Sequence, residues 1–573
     1  MNQVQQLYDL WRKNAVLDPD LTAELNEIEG KDDEILDRFY KCLEFGTGGL
    51  RGVIGAGTNR MNVYTVGQAT QGLANYLNEA FENPSVAIAY DSRIKSQTFA
   101  KEAAGVLAAN GIKVYFYPVL VPTPMLSFAV RRLGCSSGIV ITASHNPSKY
   151  NGYKCYDPRG YQMTDEAAAR TLAYINSIDI FNDVKRMSFE DAQAEDMIDF
   201  IEGWLFNEYY DCINAQRLDP DICKKSGLKV IYTPLNGTGN RPVRTMLSKM
   251  GLSDVRIVKE QEEPDGTSPT CPFPNPEIRQ VFECGLEMTA EYPADLFLAT
   301  DPDCDRAGIA VRHNGEYVLM SGNEVGAMLA EYLLTRRKEL GTLPENPVLI
   351  KSFVTTDLIQ AIADKHGATV INTLTGFKYI GEQITELEEK GEMDRFIIGM
   401  EESYGYLCGT HARDKDGVVA VTMITEMAAY YKTKGMDLVD FYEAISKEYG
   451  IYRNSLLNFT FEGAQGMETM KNIMESLRTE PPKALGGLDV IGISDYKTSV
   501  AHDLKTGEQT AITLPKSNVL QFKLPGGSSA IVRPSGTEPK IKIYITACAE
   551  EKAAAESLEA AIGRDMKQAM GIE

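Results

Sequence analysis

Residues 86–118, VAIAYDSRIKSQTFAKEAAGVLAANGIKVYFYP, carry the pattern that decides the fold. A short apolar run ends in the polar turn DSR, a helical pattern follows as far as Gly111, and a second β-rich run comes next. Glycine is a common residue just after the end of a helix. A strand, a helix and a strand at this spacing predict a βαβ unit, in which the two strands are parallel and the crossover is right-handed.

The same pattern occurs twice more along the chain, in residues 228–258 and 348–374, and the helical patterns there end at Gly251 and Gly367. Three copies of one supersecondary unit predict three related α/β domains. The first forty or so residues are predicted to be helical, and we expect them to extend the first of these domains.

The last part of the chain has a different pattern. After about residue 454, alternating β-rich runs are interrupted by helical stretches at 470–478 and 550–571, which predicts a separate α+β domain. A chain of 573 residues also exceeds the size at which one hydrophobic core stops growing. The sequence therefore predicts four domains, which span residues 1–212, 213–322, 323–453 and 454–573.

The composition bears on the location of the protein. Hydrophobic residues make up 43% of the chain and charged residues 24%, and no segment approaches the length of a membrane span. The first residues lack the apolar core and cleavage site of a signal peptide, so we expect a cytoplasmic protein. The ten cysteines are scattered without a CxxC pair, so we expect them to be reduced.

The charge bears on the partners. A formal net charge of -22 repels nucleic acid and anionic membranes, so we expect neither as a partner. An anionic substrate must then be bound by a local cluster of Arg, Lys and His side chains. Composition does not separate a monomer from a dimer, and we keep both.

The stretch ITASHNPSKYNGYKCY, residues 141–156, runs from an apolar strand directly into a hydroxyl group. In parallel α/β sheets, ligands bind at the carboxyl ends of the strands. Ser144 is therefore a candidate nucleophile or phosphate carrier, and the basic residues His145 and Lys154 follow it. Most loop serines only cap or solvate backbone groups, and on this stretch alone that alternative stays open.

The stretch ATDPDCDRAG places three carboxylates at alternate positions, those of Asp301, Asp303 and Asp305. In a loop that curls, they can converge on one hard cation, and oxygen ligands in small number suit Mg²⁺. An EF-hand is excluded, because the glycine and the final glutamate of its loop are missing. A solvated acidic turn is the alternative, but the preceding apolar run and the following Arg306 favour a metal site.

The stretch VRPSGTEPK in the last domain contains a guanidinium, two hydroxyls and a flexible backbone, which can enclose one anion. A hairpin turn is the alternative, and the arginine favours the phosphate site. Its candidate phosphate ligands are Arg533, Ser535, Gly536 and Thr537.

The stretch GMEESYGYLCGTHARDKDG, residues 399–417, offers Glu401 and Ser403 as a pair that can hydrogen-bond adjacent hydroxyls of a sugar, and basic residues including Lys415 follow. A solvated polar loop is the alternative. The stretch LTGFKY, with Gly376 and Lys378, is a weaker signal and can be a turn before a helix.

Residues 45–62, FGTGGLRGVIGAGTNRMN, are rich in glycine around Arg51 and Arg60. They match neither a P-loop nor a dinucleotide-binding fingerprint, so they predict only that the backbone approaches something closely. The other stretches together offer a hydroxyl carrier, a loop for a hard metal, a phosphate clamp and a hydroxyl-binding acid. This set predicts an enzyme that binds a phosphorylated sugar in a cleft between domains.

Four of these stretches, TASHNPSKYNGYK, DPDCDR, EESYG and RPSGTEP, occur in this order over nearly the whole chain. On these motifs the chain resembles the α-D-phosphohexomutase superfamily, and the phosphoglucomutases most closely. The resemblance implies three similar α/β domains and a smaller TATA-binding-protein-like α+β domain, arranged as a heart with a central cleft. It also implies interconversion of glucose 1-phosphate and glucose 6-phosphate, with Mg²⁺ as cofactor and glucose 1,6-bisphosphate as intermediate and activator.

The resemblance also implies catalytic roles. Ser144 would be the phosphoserine, next to Mg²⁺ held by the three aspartates. Lys154 would be the general base and acid, with His145 beside it. Arg306 would neutralise charge during phosphoryl transfer, and Arg51 matches the arginine of the family's first glycine-rich motif.

For the substrate, the resemblance implies that Glu401 and Ser403 contact the 3- and 4-hydroxyls of the sugar. Lys415 matches the lysine of the KDG motif of phosphoglucomutases. The other residues implied to bind the substrate are Gly376 and Lys378, and, for the non-reacting phosphate, Arg533, Ser535, Gly536 and Thr537.

One position departs from a branch of the superfamily. The phosphoglucomutase–phosphomannomutase branch has a histidine two residues after the sugar-loop serine, where this chain has Gly405, which weakens a mannose specificity. A phosphopentomutase, a phosphomannomutase or a glucose 1,6-bisphosphate synthase with the same chemistry is the alternative. A phosphosugar-binding protein without catalysis is a more distant one.

Overall fold

The computed structural model describes residues 2–46, 48–461, 465–535 and 540–572. The chain divides into two compact units: residues 1–322 with 377–437, and residues 323–376 with 438–573. Within the described residues, none of the helices combines the length and the apolar character that a membrane span requires.

The α-helices are α1 (Asn2–Asn14), α2 (Pro19–Glu27), α3 (Asp32–Phe39), α4 (Val63–Ala80), α5 (Ser96–Ala109), α6 (Thr123–Leu133), α7 (Asp165–Ile175), α8 (Phe189–Ala194), α9 (Gly203–Asn214), α10 (Ile222–Ser226), α11 (Asn240–Lys249), α12 (Glu283–Met288), α13 (Gly322–Glu339), α14 (Leu358–His366), α15 (Phe377–Glu389), α16 (Gly417–Thr433), α17 (Leu438–Tyr449), α18 (Gly466–Thr479) and α19 (Lys552–Ala569). Short 3-10 helices span Lys259–Gln261, Arg279–Phe282, Met393–Arg395 and Pro525–Gly527.

The strands are β1 (Gly49–Val53), β2 (Ser85–Tyr90), β3 (Lys113–Phe116), β4 (Ser137–Ile141), β5 (Tyr150–Tyr156), β6 (Ile198–Phe200), β7 (Val230–Thr233), β8 (Val255–Ile257), β9 (Leu296–Thr300), β10 (Ala307–His313), β11 (Glu316–Met320), β12 (Val348–Ser352), β13 (Thr369–Thr373), β14 (Phe396–Glu401), β15 (Gly405–Cys408), β16 (Ile451–Thr460), β17 (Ala484–Leu485), β18 (Leu488–Asp489), β19 (Gly492–Asp495), β20 (Val500–Asp503), β21 (Gln509–Ala511), β22 (Leu520–Lys523), β23 (Ser529–Pro534) and β24 (Lys540–Ala549).

The first sheet contains the βαβ unit that the sequence predicts. Its strand order is β1-β5-β4-β2-β3-β6, and β2 is parallel to both β3 and β4. Helix α5 connects β2 to β3, and Gly111 follows it with a φ of 75°, in the left-handed region that favours glycine. Strands β5 and β1 extend this sheet in antiparallel pairing, which the periodicity alone did not indicate.

The second sheet repeats this plan, with the strand order β11-β10-β9-β7-β8. Strand β7 is parallel to β8, as predicted, and it is also parallel to β9; the antiparallel strands β10 and β11 extend the edge beside β9. All five residues of β9 are buried, which fits the apolar run before Asp301. In the same compact unit, β14 and β15 pair as an antiparallel hairpin.

The second compact unit contains the third βαβ unit and the C-terminal sheet. Strand β12 is parallel to β13, and α14 between them ends at Gly367 with a φ of 66°. The C-terminal sheet is antiparallel, with the order β16-β24-β23-β22-β19-β20-β21, and its core also takes residues of α18 and α19. The short and largely exposed strands β20 and β21 carry no alternating apolar pattern, and sequence analysis missed them.

The three N-terminal helices share the core of the first sheet. Trp11 of α1 is fully buried, and its ring contacts those of Phe39, Tyr64 and Phe181 edge to face, with centroids 5.4 to 5.8 Å away. Replacing a buried Trp by Ala typically costs about 3–5 kcal/mol. The helices are therefore an integral part of this domain.

These helices also explain the glycine-rich stretch before α4. A Cβ atom on Gly57 would lie 2.6 Å from the carbonyl oxygen of Arg38, at the end of α3. Arg60 pairs with Asp37, and the backbone N–H of Ala56 donates to Glu24 at 2.7 Å. The close approach that the glycines permit is to the N-terminal helices.

We expect Gly57→Ala to lower the melting temperature more than Gly30→Ala does. Both glycines have positive φ, so both substitutions cost about 1 kcal/mol in backbone strain. Space around Gly30 is open, whereas a methyl group on Gly57 collides with Arg38. Calorimetry of the two variants measures the difference in melting temperature. Equal melting temperatures would contradict the close packing of Gly57 against Arg38.

Candidate active site

The serine loop, residues 142–149, connects the buried strand β4 to β5. Ser144 has a φ of 52°, and its backbone N–H donates to Thr142 Oγ1 at 2.8 Å. Its side chain is 5% exposed, and its Oγ donates to Asp301 Oδ2 at 2.9 Å. The loop therefore directs the hydroxyl towards the loop that follows β9.

The carboxylates of Asp301, Asp303 and Asp305, the carboxylate triad, form one buried cluster. Each offers an oxygen, and these oxygens lie within 4.8 Å of one another. Asp301 Oδ1 accepts hydrogen bonds from the backbone N–H groups of Asp305 and Arg306, both at 3.1 Å. Oδ1 of Asp303 and Oδ1 of Asp305 are buried and accept no hydrogen bond from any residue that the structure describes. Buried carboxylate oxygens without donors fit a hard cation.

The pKa values of the triad reflect its burial and its neighbours. Burial and the charges of Asp303 and Asp305 raise the pKa of Asp301 well above its usual value. Burial and Asp303 likewise raise the pKa of Asp305. Burial opposes the charged form of Asp303 too, but Lys154 and other donors outweigh it, so the pKa of Asp303 is lowered. The cluster therefore concentrates negative charge that a cation can stabilise.

Two lysines contact the triad. Lys154 Nζ lies 3.3 Å from Asp303 Oδ2, and Lys415 Nζ lies 3.1 Å from Asp305 Oδ2 and 3.1 Å from Asp414 Oδ1. Burial opposes the charge on Lys415, but the two carboxylates outweigh it and raise its pKa. Lys415 therefore stays charged, and the Nζ atoms of both lysines lie beside carboxylates of the triad.

The register of β1 and β5 places Arg51 and Lys154 on one face of the sheet. Arg51 lies opposite Gly152, and Gly49 lies opposite Lys154. Opposed residues and alternate residues of a strand share a face, so both basic side chains project the same way. A Cβ on Gly152 would lie 2.4 Å from the carbonyl oxygen of Thr142, so glycine is needed where β5 supports the serine loop.

Arg306 adds a cation to the site, and His145 adds an imidazole beside Ser144. Arg306 Nη1 donates to Glu277 Oε1 at 2.8 Å. His145 Nδ1 lies 3.2 Å from Ser144 Oγ. Burial, together with the positive charges of Arg306, Arg51 and Lys154, lowers the pKa of His145 to about 3, so its imidazole is neutral at physiological pH. The structure thus contains the local basic cluster that an anionic substrate requires in this acidic protein.

The loop after β14 lies in the same compact unit. Glu401 ends this strand and is buried, and its charge acts on both Lys415 and Arg306. Ser403 follows in the turn, where it is partly exposed. A Cβ on Gly405 would lie 2.3 Å from Lys415 Cδ. The Lys415 side chain therefore occupies the space that a larger residue at position 405 would need.

The remaining predicted residues lie elsewhere. Lys378 Nζ contacts Asp165 Oδ1 at 2.6 Å instead of the triad. In the second compact unit, Gly376 has a φ of 116°, Arg533 lies on β23, and the N–H of Ser535 donates to the carbonyl of Lys540 at 2.7 Å, where β23 and β24 connect. Gly536 and Thr537 lie outside the described residues.

Sequence analysis missed several side chains that support the site. Thr123 Oγ1 donates to Asp303 Oδ2 at 2.9 Å, and Tyr156 donates to Asp414 at 2.6 Å. Arg93 donates to backbone carbonyls of the serine loop. A signal was present for Arg93, because the DSR turn follows β2 and β2 is the parallel neighbour of β4.

Family models match four consecutive parts of the chain. Those of phosphoglucomutase/phosphomannomutase alpha/beta/alpha domains I, II and III match residues 43–180, 207–315 and 321–449, and that of the C-terminal domain matches residues 498–562. The chain belongs to the phosphoglucomutase/phosphomannomutase family, an enzyme family of the α-D-phosphohexomutase superfamily. The predicted four-domain α/β architecture is confirmed.

Several bacterial relatives are similar over nearly their whole length. The chain is 36% identical over 535 residues to a phosphoglucomutase of Staphylococcus haemolyticus, covering 91% of this chain and 95% of the relative. It is 38% identical over 505 residues to a phosphoglucomutase of Staphylococcus epidermidis, covering 88% and 90%.

Solved structures share the fold. A putative phosphomannomutase from Thermus thermophilus superposes with a TM-score of 0.68 at 24% identity, covering 92% of this chain and 99% of that one. The open form of parafusin, a phosphoglucomutase from Paramecium, superposes with a TM-score of 0.69 at 17% identity, covering 93% and 96%.

We expect Asp301→Asn to raise the melting temperature in EDTA, by about 1 °C for each kcal/mol of repulsion removed from a chain of this length. The amide oxygen can keep the two N–H hydrogen bonds that Asp301 Oδ1 accepts, and the substitution removes the repulsion that raises the pKa of this carboxylate. The control is Asp416→Asn, because Asp416 is buried among donors that include His411 and two N–H groups of α16. It should lower the melting temperature in the same calorimetric measurement. A lower value for both variants would contradict the repulsion within the triad.

Proposed function

We propose that the protein is a phosphoglucomutase, which interconverts glucose 1-phosphate and glucose 6-phosphate through a phosphoserine at Ser144 and a glucose 1,6-bisphosphate intermediate. The observation that carries the proposal is the buried Ser144 hydroxyl, which contacts Asp301 at 2.9 Å and faces a cluster of cations. The phosphoglucomutase names of relatives at 36 and 38% identity support the choice of glucose.

The carboxylate triad would hold Mg²⁺, and the buried Oδ1 atoms of Asp303 and Asp305, which accept no hydrogen bond within the described residues, support this assignment. When bound, the ion would neutralise charge on the transferring phosphoryl group and orient it towards Ser144. The hydrogen bonds that Asp301 accepts from two N–H groups hold its carboxylate in a fixed orientation for this purpose.

Arg306 and Arg51 would stabilise the charge on the phosphoryl oxygens. Phosphoryl transfer depends mainly on positioning and on electrostatic stabilisation, and preorganised cations contribute most where water is excluded. The bond from Arg306 to Glu277 fixes one guanidinium before substrate arrives.

Lys154 would move the proton. As a neutral amine, its Nζ would take a proton from the sugar hydroxyl that attacks the phosphoserine, become an ammonium, and return that proton in the reverse transfer. The neutral imidazole of His145 lies beside the Ser144 oxygen, with its Nδ1 3.2 Å from Oγ. Glu401 and Ser403 would bind the sugar hydroxyls, and Lys415 would place a fixed positive charge beside them.

Other parts of the account remain predictions from the sequence. They are the residue ranges of the four domains, the cytoplasmic location, the activator role of glucose 1,6-bisphosphate, the lack of nucleic-acid and membrane partners, and a monomeric or dimeric state. The same holds for the roles of Gly376 and Lys378 and for the phosphate clamp at Arg533, Ser535, Gly536 and Thr537.

A coupled assay with Mg²⁺ and a trace of glucose 1,6-bisphosphate tests the substrate. We expect kcat/KM for glucose 1-phosphate to exceed that for mannose 1-phosphate and ribose 1-phosphate by at least about tenfold, since discrimination lies in transition-state binding. A higher value for mannose or ribose would keep the proposed chemistry and overturn the choice of sugar.

Ser144→Ala tests the phosphoryl carrier. This variant should lose at least about 10³-fold in kcat, because no oxygen is left to carry the phosphoryl group. Ser148→Ala in the same loop is the control and should keep both activity and phosphate uptake from glucose 1,6-bisphosphate, as measured by peptide mass spectrometry. Full activity in Ser144→Ala would refute the proposal.

Gly405→Ala tests the place of Lys415 in the site. The added methyl group collides with the Lys415 stem and should displace its ammonium from Asp305, lowering kcat/KM by about 10- to 100-fold. In Gly399→Ala, the Cβ instead collides with the Ile380 side chain. That control should lower the melting temperature and leave kcat/KM within about threefold of wild type. Equal kcat/KM values for the two variants would argue against a role for Lys415.

A further inference from the structure

We propose that Arg93 is a positioning residue, which holds the serine loop in the geometry for phosphoryl transfer. The inference rests on the proposed role of Ser144 as phosphoryl carrier. Arg93 follows β2, the parallel neighbour of β4, so its backbone lies at the sheet edge from which the serine loop emerges.

The guanidinium of Arg93 donates to four backbone carbonyls of one short segment. Nη1 donates to the carbonyls of Pro147 and Tyr150 at 3.0 and 2.9 Å. Nη2 donates to the carbonyls of Ser144 and Asn146. The side chain is 3% exposed, so the segment encloses a buried cation and orients its carbonyls towards it.

Asp91 fixes the orientation of this guanidinium. Its side chain is fully buried, and Oδ2 lies 3.6 Å from Arg93 Nε. Oδ1 accepts hydrogen bonds from the Arg93 N–H at 2.9 Å and from the Ser96 hydroxyl at 2.6 Å. Asn151 of β5 donates to that same hydroxyl at 3.0 Å. Both ends of the serine loop are thus tied to one network.

This network accounts for the unusual backbone conformation of Ser144. Its φ of 52° is in the left-handed region, which costs a residue other than glycine about 1 kcal/mol or more. Such a conformation persists only where the surroundings impose it. One of the four carbonyls that Arg93 binds belongs to Ser144 itself, so the guanidinium acts directly on the residue whose side-chain direction matters.

A lysine cannot reproduce this arrangement. Its ammonium is a point charge with three donors, whereas the planar guanidinium has five donors in a fixed fork. Arg93→Lys therefore keeps the charge and removes the simultaneous contacts to the carbonyls. An open pocket of about 700 Å³ borders Asp91, Arg93, Ser96 and Thr238, so a small cation can reach the space that the arginine side chain leaves when it is removed.

The test compares Arg93→Lys and Arg93→Ala with wild type. We expect kcat and the rate of Ser144 phosphorylation by glucose 1,6-bisphosphate to fall about 100-fold in both, because a small displacement of a reacting atom has such an effect. KM for glucose 1-phosphate should stay within about threefold, since Arg93 does not contact the sugar in this account. Added guanidinium ion should raise the phosphorylation rate of Arg93→Ala at least about tenfold. It should leave the rate of Arg93→Lys unchanged.

Arg217→Lys is the matched control. Arg217 is 4% exposed, donates to the carbonyl of Pro220 at 2.6 Å and has its Nε 3.7 Å from Glu426, so it resembles Arg93 in burial and partners. This variant should have a lower melting temperature than wild type and the wild-type rate of Ser144 phosphorylation. A wild-type rate in Arg93→Lys, or an equal loss of rate in Arg217→Lys, would overturn the inference. Failure of wild type itself to take up phosphate on Ser144 would refute the proposed function instead.

Discussion

Three carboxylates buried within 4.8 Å of one another are the constraint on which the rest of the site depends. Like charges at this distance in a protein interior are unfavourable unless cations are present. The chain supplies Lys154 and Lys415 at the edges of the cluster, and two carboxylate oxygens inside it accept no hydrogen bond from the part of the chain that the structure describes. The Ser144 hydroxyl contacts this cluster, so whatever neutralises the carboxylates also acts on the group that Ser144 carries.

The sheets position these groups, because the parallel strands of an α/β domain end at a common edge of their sheet and the functional loops follow there. Asp301 is the first residue after the fully buried β9, and Ser144 is the third after β4. Antiparallel additions to each sheet refine the arrangement, since β5 and β1 place Lys154 and Arg51 on one face and β10 follows directly after Arg306. The N-terminal helices pack against the glycine-rich turn after β1, which ties the position of Arg51 to the core around Trp11.

The sequence predicted the three βαβ units, the helical N-terminus and the C-terminal sheet with its two helices, because each has a regular apolar period and a glycine or polar turn at its end. It did not reveal β19, β20 and β21, which are only three or four residues long, or the antiparallel pairing of β1 with β5, which depends on long-range register. The three carboxylates around Asp301 belong to one short stretch, so the sequence alone predicts that they lie close together. The contacts of Arg93 and Glu277 could not be predicted, because their partners lie far away in sequence and only the fold brings them together; for Arg93 the DSR turn signalled the strand end but not the partners.

The central claim is that the phosphoryl group passes through Ser144. The most direct test is a single-turnover measurement on enzyme labelled with ³²P at Ser144, mixed with unlabelled glucose 1-phosphate and quenched within one turnover. The account predicts that the label leaves the protein and appears in glucose 1,6-bisphosphate or glucose 6-phosphate at least as fast as kcat. Label that remains on Ser144 while glucose 6-phosphate accumulates would contradict it.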